Sequence, residues 1–109
     1  MREYESKLKS EEMDFLFKAM MTLETLEDYY RFFEDICTIN EIKAIAQRLQ
    51  VAKMLKEKRT YIDIADATGA STATISRVNR CLLYGSDGYN RVFERLEALE
   101  EKNKTENEK

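Results

Sequence analysis

The chain contains no proline and no histidine, and among its 109 residues it has only three glycines and two cysteines. Without proline nothing in the covalent chain interrupts a long helix. Without histidine the commonest general base is missing. Catalysis by carboxylates stays formally open, but the Asp and Glu residues are interleaved with Lys and Arg, as on the solvated faces of ordinary helices. No nucleophile paired with a base, no phosphate-cradling loop and no ligand cluster is visible, so no enzyme is predicted. Cys37 and Cys81 lie far apart with no histidine beside them. They make no zinc site and are expected to stay reduced as small buried groups, with no metal and no cofactor called for. No apolar run approaches the length that spans a bilayer, and residues 1–10 are too polar for a signal peptide; a cytoplasmic protein without membrane contact is expected.

The length suits one domain, with much of its surface still exposed. The net charge of −3 conceals a division along the chain. Residues 1–41 hold 5 basic and 11 acidic groups, residues 42–80 hold 8 basic and 3 acidic, and residues 81–109 hold 5 basic and 7 acidic. The balances are −6, +5 and −2. Phosphate responds to the local field, so an acidic chain with a basic middle still suits a nucleic acid, although a solvated lysine face gives the same count.

Helical periodicity runs through the chain. Ser10 before Glu11 and Glu12 opens a first helix, striped by Met13, Leu16, Phe17, Met20 and Leu23, with Phe15 and Met21 off the stripe. Thr25 and Asp28 form a capping-box pattern for a second helix, striped by Leu26, Tyr29, Tyr30, Phe33 and Ile36, with Phe32 displaced. Helices apolar on more than one side need more than one neighbour. The aromatic cluster therefore reads as core between subunits rather than as a stacking platform or ligand box. Thr38 and Glu41 repeat the pattern for a long helix over 39–58. Its main stripe is Ile42, Ile45, Ala46, Leu49, Ala52 and Leu55, widened by Val51 and Met54, with Arg48 at the edge.

Residues 60–83 then read as helix, tight turn, helix. Thr60 and Asp63 start the first helix, Ala65 falls where two helices cross, and Gly69 falls where the turn needs a positive φ. Ile64, Ala70, Ile75 and Val78 point inward, and Leu82 with Leu83 closes the second helix against the core. Ser71 caps that second helix. Its free face carries Ser71, Thr72, Ala73, Ser76, Arg77 and Arg80, a small, hydroxyl-bearing and basic surface that a DNA major groove admits. The plain alternative is a helical hairpin with a glycine turn inside any α domain. Gly85 and Gly88 break the run, and Ser86 or Asp87 caps a last helix striped by Tyr89, Val92, Phe93, Leu96 and Leu99. The predicted organisation is a flexible N-terminus over 1–9, a single all-α domain of six helices over 10–99 and a disordered charged tail over 100–109.

The run from 38 to 82, with TINEIKAIAQRLQVAKML followed by IADATGASTATISRVNRCL, resembles the Trp repressor superfamily and is most similar to its YerC/YecD-type branch. Its most specific piece is Gly69-Ala70 followed by Ala73-Thr74-Ile75 and Arg77; the flanking helices agree in number and order. The resemblance implies an intertwined helical homodimer whose two helix-turn-helix units enter successive major grooves of a palindromic operator. It puts Ser71, Thr72, Ala73 and Ser76 at groove-facing positions and Arg48 and Arg77 near phosphate, with Thr60 and Arg80 completing the candidate DNA-binding set. It also implies an effector pocket at Thr38, Arg48, Thr74, Arg77, Val78 and Cys81. There Val78 replaces a glycine and Cys81 a serine, so the valine would intrude on the ligand space and the thiol is a poorer hydrogen-bonding partner. Another small co-repressor, or none, is expected in place of tryptophan.

The expected function is a sequence-specific, DNA-binding transcriptional regulator, a repressor, acting as a homodimer on double-stranded DNA. The rival is a helical protein-interaction dimer that kept the fold and uses its aromatic N-terminal half.

Overall fold

The computed structural model describes residues 4–107, with side chains described as far as residue 105. The described residues form six α-helices and no strand: α1 (Glu11–Met20), α2 (Leu26–Ile36), α3 (Ile39–Lys56), α4 (Tyr61–Thr68), α5 (Thr72–Tyr84) and α6 (Gly88–Asn107). Side-chain caps fix the starts of α1, α2, α4 and α5. The oxygens of Ser10, Thr25, Thr60 and Ser71 accept from the backbone N–H groups of Met13, Asp28, Asp63 and Thr74, each at 3.1 Å. Each cap satisfies a donor that the helix leaves without a partner, a contribution of about 1 kcal/mol. The Asp28 carboxylate completes its box by accepting from the N–H groups of Glu24 at 3.0 Å and Thr25 at 3.3 Å. Those bonds hold its carboxyl below the ordinary carboxylate value.

Two compact units divide the chain, Met1–Ile39 and Asn40–Lys109. In the first unit α1 and α2 bury no residue. Phe15 is 78% and Met21 83% exposed, and Leu26 and Tyr30 are also open. The α2 rings contact one another, Tyr29 stacking on Phe33 at 6.5 Å and Phe32 meeting Phe33 edge-on at 5.5 Å. A helix pair in one chain is too small to enclose side chains that project on several sides.

The second unit has a core of Val51, Ala52 and Met54 from α3, Ile64 from α4, Ala70 from the turn, and Ile75 and Val78 from α5. Leu55, Ala65, Leu82, Tyr89 and Phe93 pack against it. Ile64, Ala70, Ile75 and Val78 are therefore buried as their spacing predicts. The face of α3 is different from the one expected. Val51 and Met54, placed at the margin of the stripe, are buried with Ala52, while Ile45 and Leu49 are 50% and 38% exposed. A short link joins α3 to α4, so the α4–α5 hairpin folds back onto the last turns of α3 and reaches Val51, Met54 and Leu55 first.

Other sequence expectations are corrected here. α3 stops at Lys56, where the pattern carried it to Lys58. Leu83 is exposed, and only Leu82 packs. Cys37 is half-buried, and Cys81 is exposed rather than buried. The reason is register: the inner face of α5 runs through Ile75, Val78 and Leu82, which leaves Cys81 one position off it. Beyond Glu100, where disorder was expected, α6 continues to Asn107. That stretch has neither Gly nor Pro, is rich in straight-chain helix formers, and spaces Glu100 and Lys104 at i,i+4. Residues 1–3 of the predicted flexible N-terminus and 108–109 of the predicted tail lie outside the described residues.

Candidate nucleic-acid interface

The α4–α5 hairpin is built around Gly69. Its φ is 74°, and its N–H donates to the Ala65 carbonyl at 2.8 Å, ending α4 in the left-handed conformation. A Cβ placed there would meet nothing within 4 Å, so the demand for glycine is one of backbone conformation and not of space. Thr68 closes the same turn twice. Its hydroxyl donates to the Ile64 carbonyl at 2.7 Å and accepts from the Ala70 N–H at 3.1 Å. The Thr68 carbonyl accepts in turn from Gln47 Nε2 at 3.1 Å, which ties α3 to the turn through a half-buried bond. The sequence pattern places Thr68 at the start of the turn but marks neither its hydroxyl nor Gln47 as a bonding partner. A signal was present for Gln47: it stands four positions before Val51, a polar group on the face of α3 that becomes core.

Ser71 starts α5 at the far side of this turn. Besides capping the Thr74 N–H, its hydroxyl donates to Thr74 Oγ1 at 3.1 Å. The helix then presents two opposed faces. Ile75 and Val78 are buried, whereas Thr72, Ala73, Ser76, Arg77 and Arg80 are all exposed. At about 100° per residue these five fall within an arc of about 140°, opposite the core-facing arc. Among the six helices α5 alone carries no Asp or Glu along its length. Its outward surface is therefore two guanidinium groups, two hydroxyls and a methyl, with no carboxylate to repel a phosphate.

Of the remaining candidates, Thr60 is exposed and its hydroxyl caps α4, while Arg48 is exposed on α3. The residues assigned to an effector pocket are distributed differently. Thr74, Arg77 and Cys81, at i, i+3 and i+7, follow one strip of α5 along the edge of the outward face, which Arg77 shares. Val78 is 2% exposed and belongs to the buried core cluster rather than lining an open space. Thr38 falls in the first unit. A separate groove between α3 and α6 is lined by Leu49, Lys53, Lys56, Phe93 and Leu96, among others. It is spanned at one end by Lys56 Nζ, which donates to Asn90 Oδ1 at 2.7 Å and lies 5.7 Å from the Phe93 ring centroid.

Among the described residues no group of three or more Cys, Asp or Glu side chains is arranged to hold a metal ion. No helix among them is long and apolar enough to cross a membrane.

The family model for the Trp repressor protein matches residues 11–97. The chain belongs to the Trp repressor family. Membership places it among helix-turn-helix regulators, and the match takes in α1, α2 and the first half of α6 as well as the 38–82 run that carries the most specific residues. The uncharacterised protein YerC of Bacillus subtilis strain 168 is 55% identical over 94 residues, which cover 86% of this chain and 90% of YerC. A TrpR-like protein from Eubacterium eligens superposes with a TM-score of 0.80 at 64% identity, covering 83% of this chain and 93% of its own. A structure described as a candidate Trp repressor, from Staphylococcus aureus, gives the same TM-score at 52% identity, over 84% and 91%. The YerC-type branch of the Trp repressor family is thus where this chain sits, with the α4–Gly69–α5 hairpin as its helix-turn-helix.

Proposed function

We propose that this Trp repressor family member is a cytoplasmic, sequence-specific DNA-binding repressor that acts as a homodimer on a palindromic operator. The observation that carries the proposal is the acid-free outer arc of α5, where Thr72, Ala73 and Ser76 offer small groups to base edges and Arg77 and Arg80 offer charge to the flanking phosphates. Arg48 adds a further guanidinium from α3. The division of charge along the chain supports the same reading, because the excess of basic groups coincides with the helix-turn-helix and the segment before it.

The first unit supports the dimer. α1 and α2 leave Phe15, Met21, Leu26 and Tyr30 open to water, far more apolar surface than a monomeric protein of this size ordinarily exposes. A two-fold pair covers such a surface and sets two reading helices about one turn of DNA apart. Val78, buried in the core, stands where the resemblance would need open space for an effector, which supports an operator bound with another small co-repressor, or none, in place of tryptophan.

Selection of bound sequences from a random DNA pool, with and without tryptophan, tests the whole proposal. The expected result is one enriched palindrome in both arms, bound with an affinity that falls steeply as salt rises. Sedimentation should give a single species of twice the chain mass. Failure to enrich any sequence, with no salt-dependent binding to random duplex, would leave the fold serving protein contacts instead, through the aromatic surface of α2.

A further inference from the structure

Resting on that reading, we infer that the junction between α3 and α4 is a further DNA contact, separate from α5, in which Lys58 and Arg59 grip a backbone phosphate. The observation behind it is the conformation of Lys58. Its φ is 64°, in the left-handed region, where lysine has no local means of repaying the strain. Asp87 is the other described non-glycine residue with positive φ. Aspartate is at home there, and its carboxylate accepts from Asn90 Nδ2 at 3.2 Å. Lys58 has no such bond among the described residues.

The turn itself is well made. The Lys58 N–H donates to the Leu55 carbonyl at 3.0 Å and the Arg59 N–H to the Met54 carbonyl at 3.1 Å, the paired closure in which glycine ordinarily occupies the left-handed position. A glycine at 58 would keep both bonds and remove the strain. The position holds instead a long cation, exposed, followed directly by an exposed Arg59 and then by the Thr60 cap of α4. In a helix-turn-helix the first helix crosses the sugar-phosphate strand while the second enters the groove. Residues that lead into α4 are therefore carried to the strand whenever α5 is seated. Backbone strain at such a place is retained where the side chain has work to do.

The test uses Lys58→Gly, Lys58→Gln and Lys58→Arg in the full-length protein, with melting temperature and duplex affinity measured across a salt series. Lys58→Gly should melt several degrees higher than the parent, since the strain is gone. Both Gly and Gln should bind DNA more weakly, and Arg should bind as the parent does. The ratio of affinities at 50 and 200 mM salt should shrink about 3.5-fold for each Lys58 engaged, or about 12-fold for both copies in a dimer. Parental salt dependence in both Gly and Gln variants overturns the inference, and so does a lower melting temperature for Lys58→Gly. If those variants match the parent while Arg77→Ala does not, the α5 reading stands and the junction contact alone falls. If the parent itself shows no salt-dependent binding, both fall together.

Discussion

Replacement of Gly69 by alanine isolates the conformational part of the helix-turn-helix. Because a Cβ at this position meets nothing within 4 Å, no packing penalty enters. The native φ of 74° is the whole difficulty. An L-residue held in that region costs roughly 1–2 kcal/mol, and the loss of glycine's freedom in the unfolded chain returns roughly 0.4–1 kcal/mol. The net expectation is a destabilisation of about 1 kcal/mol, with Gly69→Asn nearer neutral because asparagine tolerates the left-handed region. Urea titration at fixed protein concentration checks it. The midpoint should fall with the slope unchanged, and the folded fraction should bind DNA as the parent does, since the outer arc of α5 is untouched. A destabilisation beyond about 3 kcal/mol would mean that the Cβ meets atoms that the geometry does not place there. A gain in stability would mean that the turn does not hold Gly69 in the left-handed region. Either result refutes a hairpin whose demand for glycine is conformational alone.

Three further outcomes follow from the same structure. Gln47→Ala removes the half-buried bond to the Thr68 carbonyl and should cost about 1 kcal/mol in urea unfolding, although Gln47 makes no contribution to the reading face. Arg77→Ala should weaken binding to every duplex and lower the salt slope by about 1 for each phosphate left without its guanidinium, whereas Thr72→Ala should alter base preference in a pool selection more than overall affinity. The Asp28 carboxyl is held below its ordinary 3.8 by the N–H groups of Glu24 and Thr25, so it stabilises the fold above that pH and ceases to do so as pH falls through the lowered folded value. Acid titration of helicity should therefore be shallower for Asp28→Asn than for the parent below about pH 4.

The degree to which each feature could be read in the sequence depends on how far along the chain its partner lies. Ser10, Thr25, Thr60 and Ser71 each cap a donor three residues away. Such pairs lie within the span of one helical turn, so residue type and spacing are enough to find them. The outer arc of α5 was equally legible, since a single helix period separates Ile75 and Val78 from Ser76, Arg77 and Arg80. The left-handed lysine at 58 was not. Nothing in the local pattern marks it, and the pattern carried α3 through it.

The sequence by itself thus determined that the chain is helical, where most helices begin, that Gly69 hinges a pair of them, and which four residues of that pair turn inward. The reason is that these choices are settled by neighbours within about four positions. Tertiary structure alone decided which face of α3 is used, because α3 is apolar on two sides and only the return of the α4–α5 hairpin selects Val51 and Met54 over Ile45 and Leu49. It alone joined Gln47 to Thr68 across 21 positions and Lys56 to Asn90 across 34. It also left Cys81 in solvent and sealed Val78 into the core. A residue's register is written along its helix, but the partner on the other side of that helix exists only once the chain has come back to meet it.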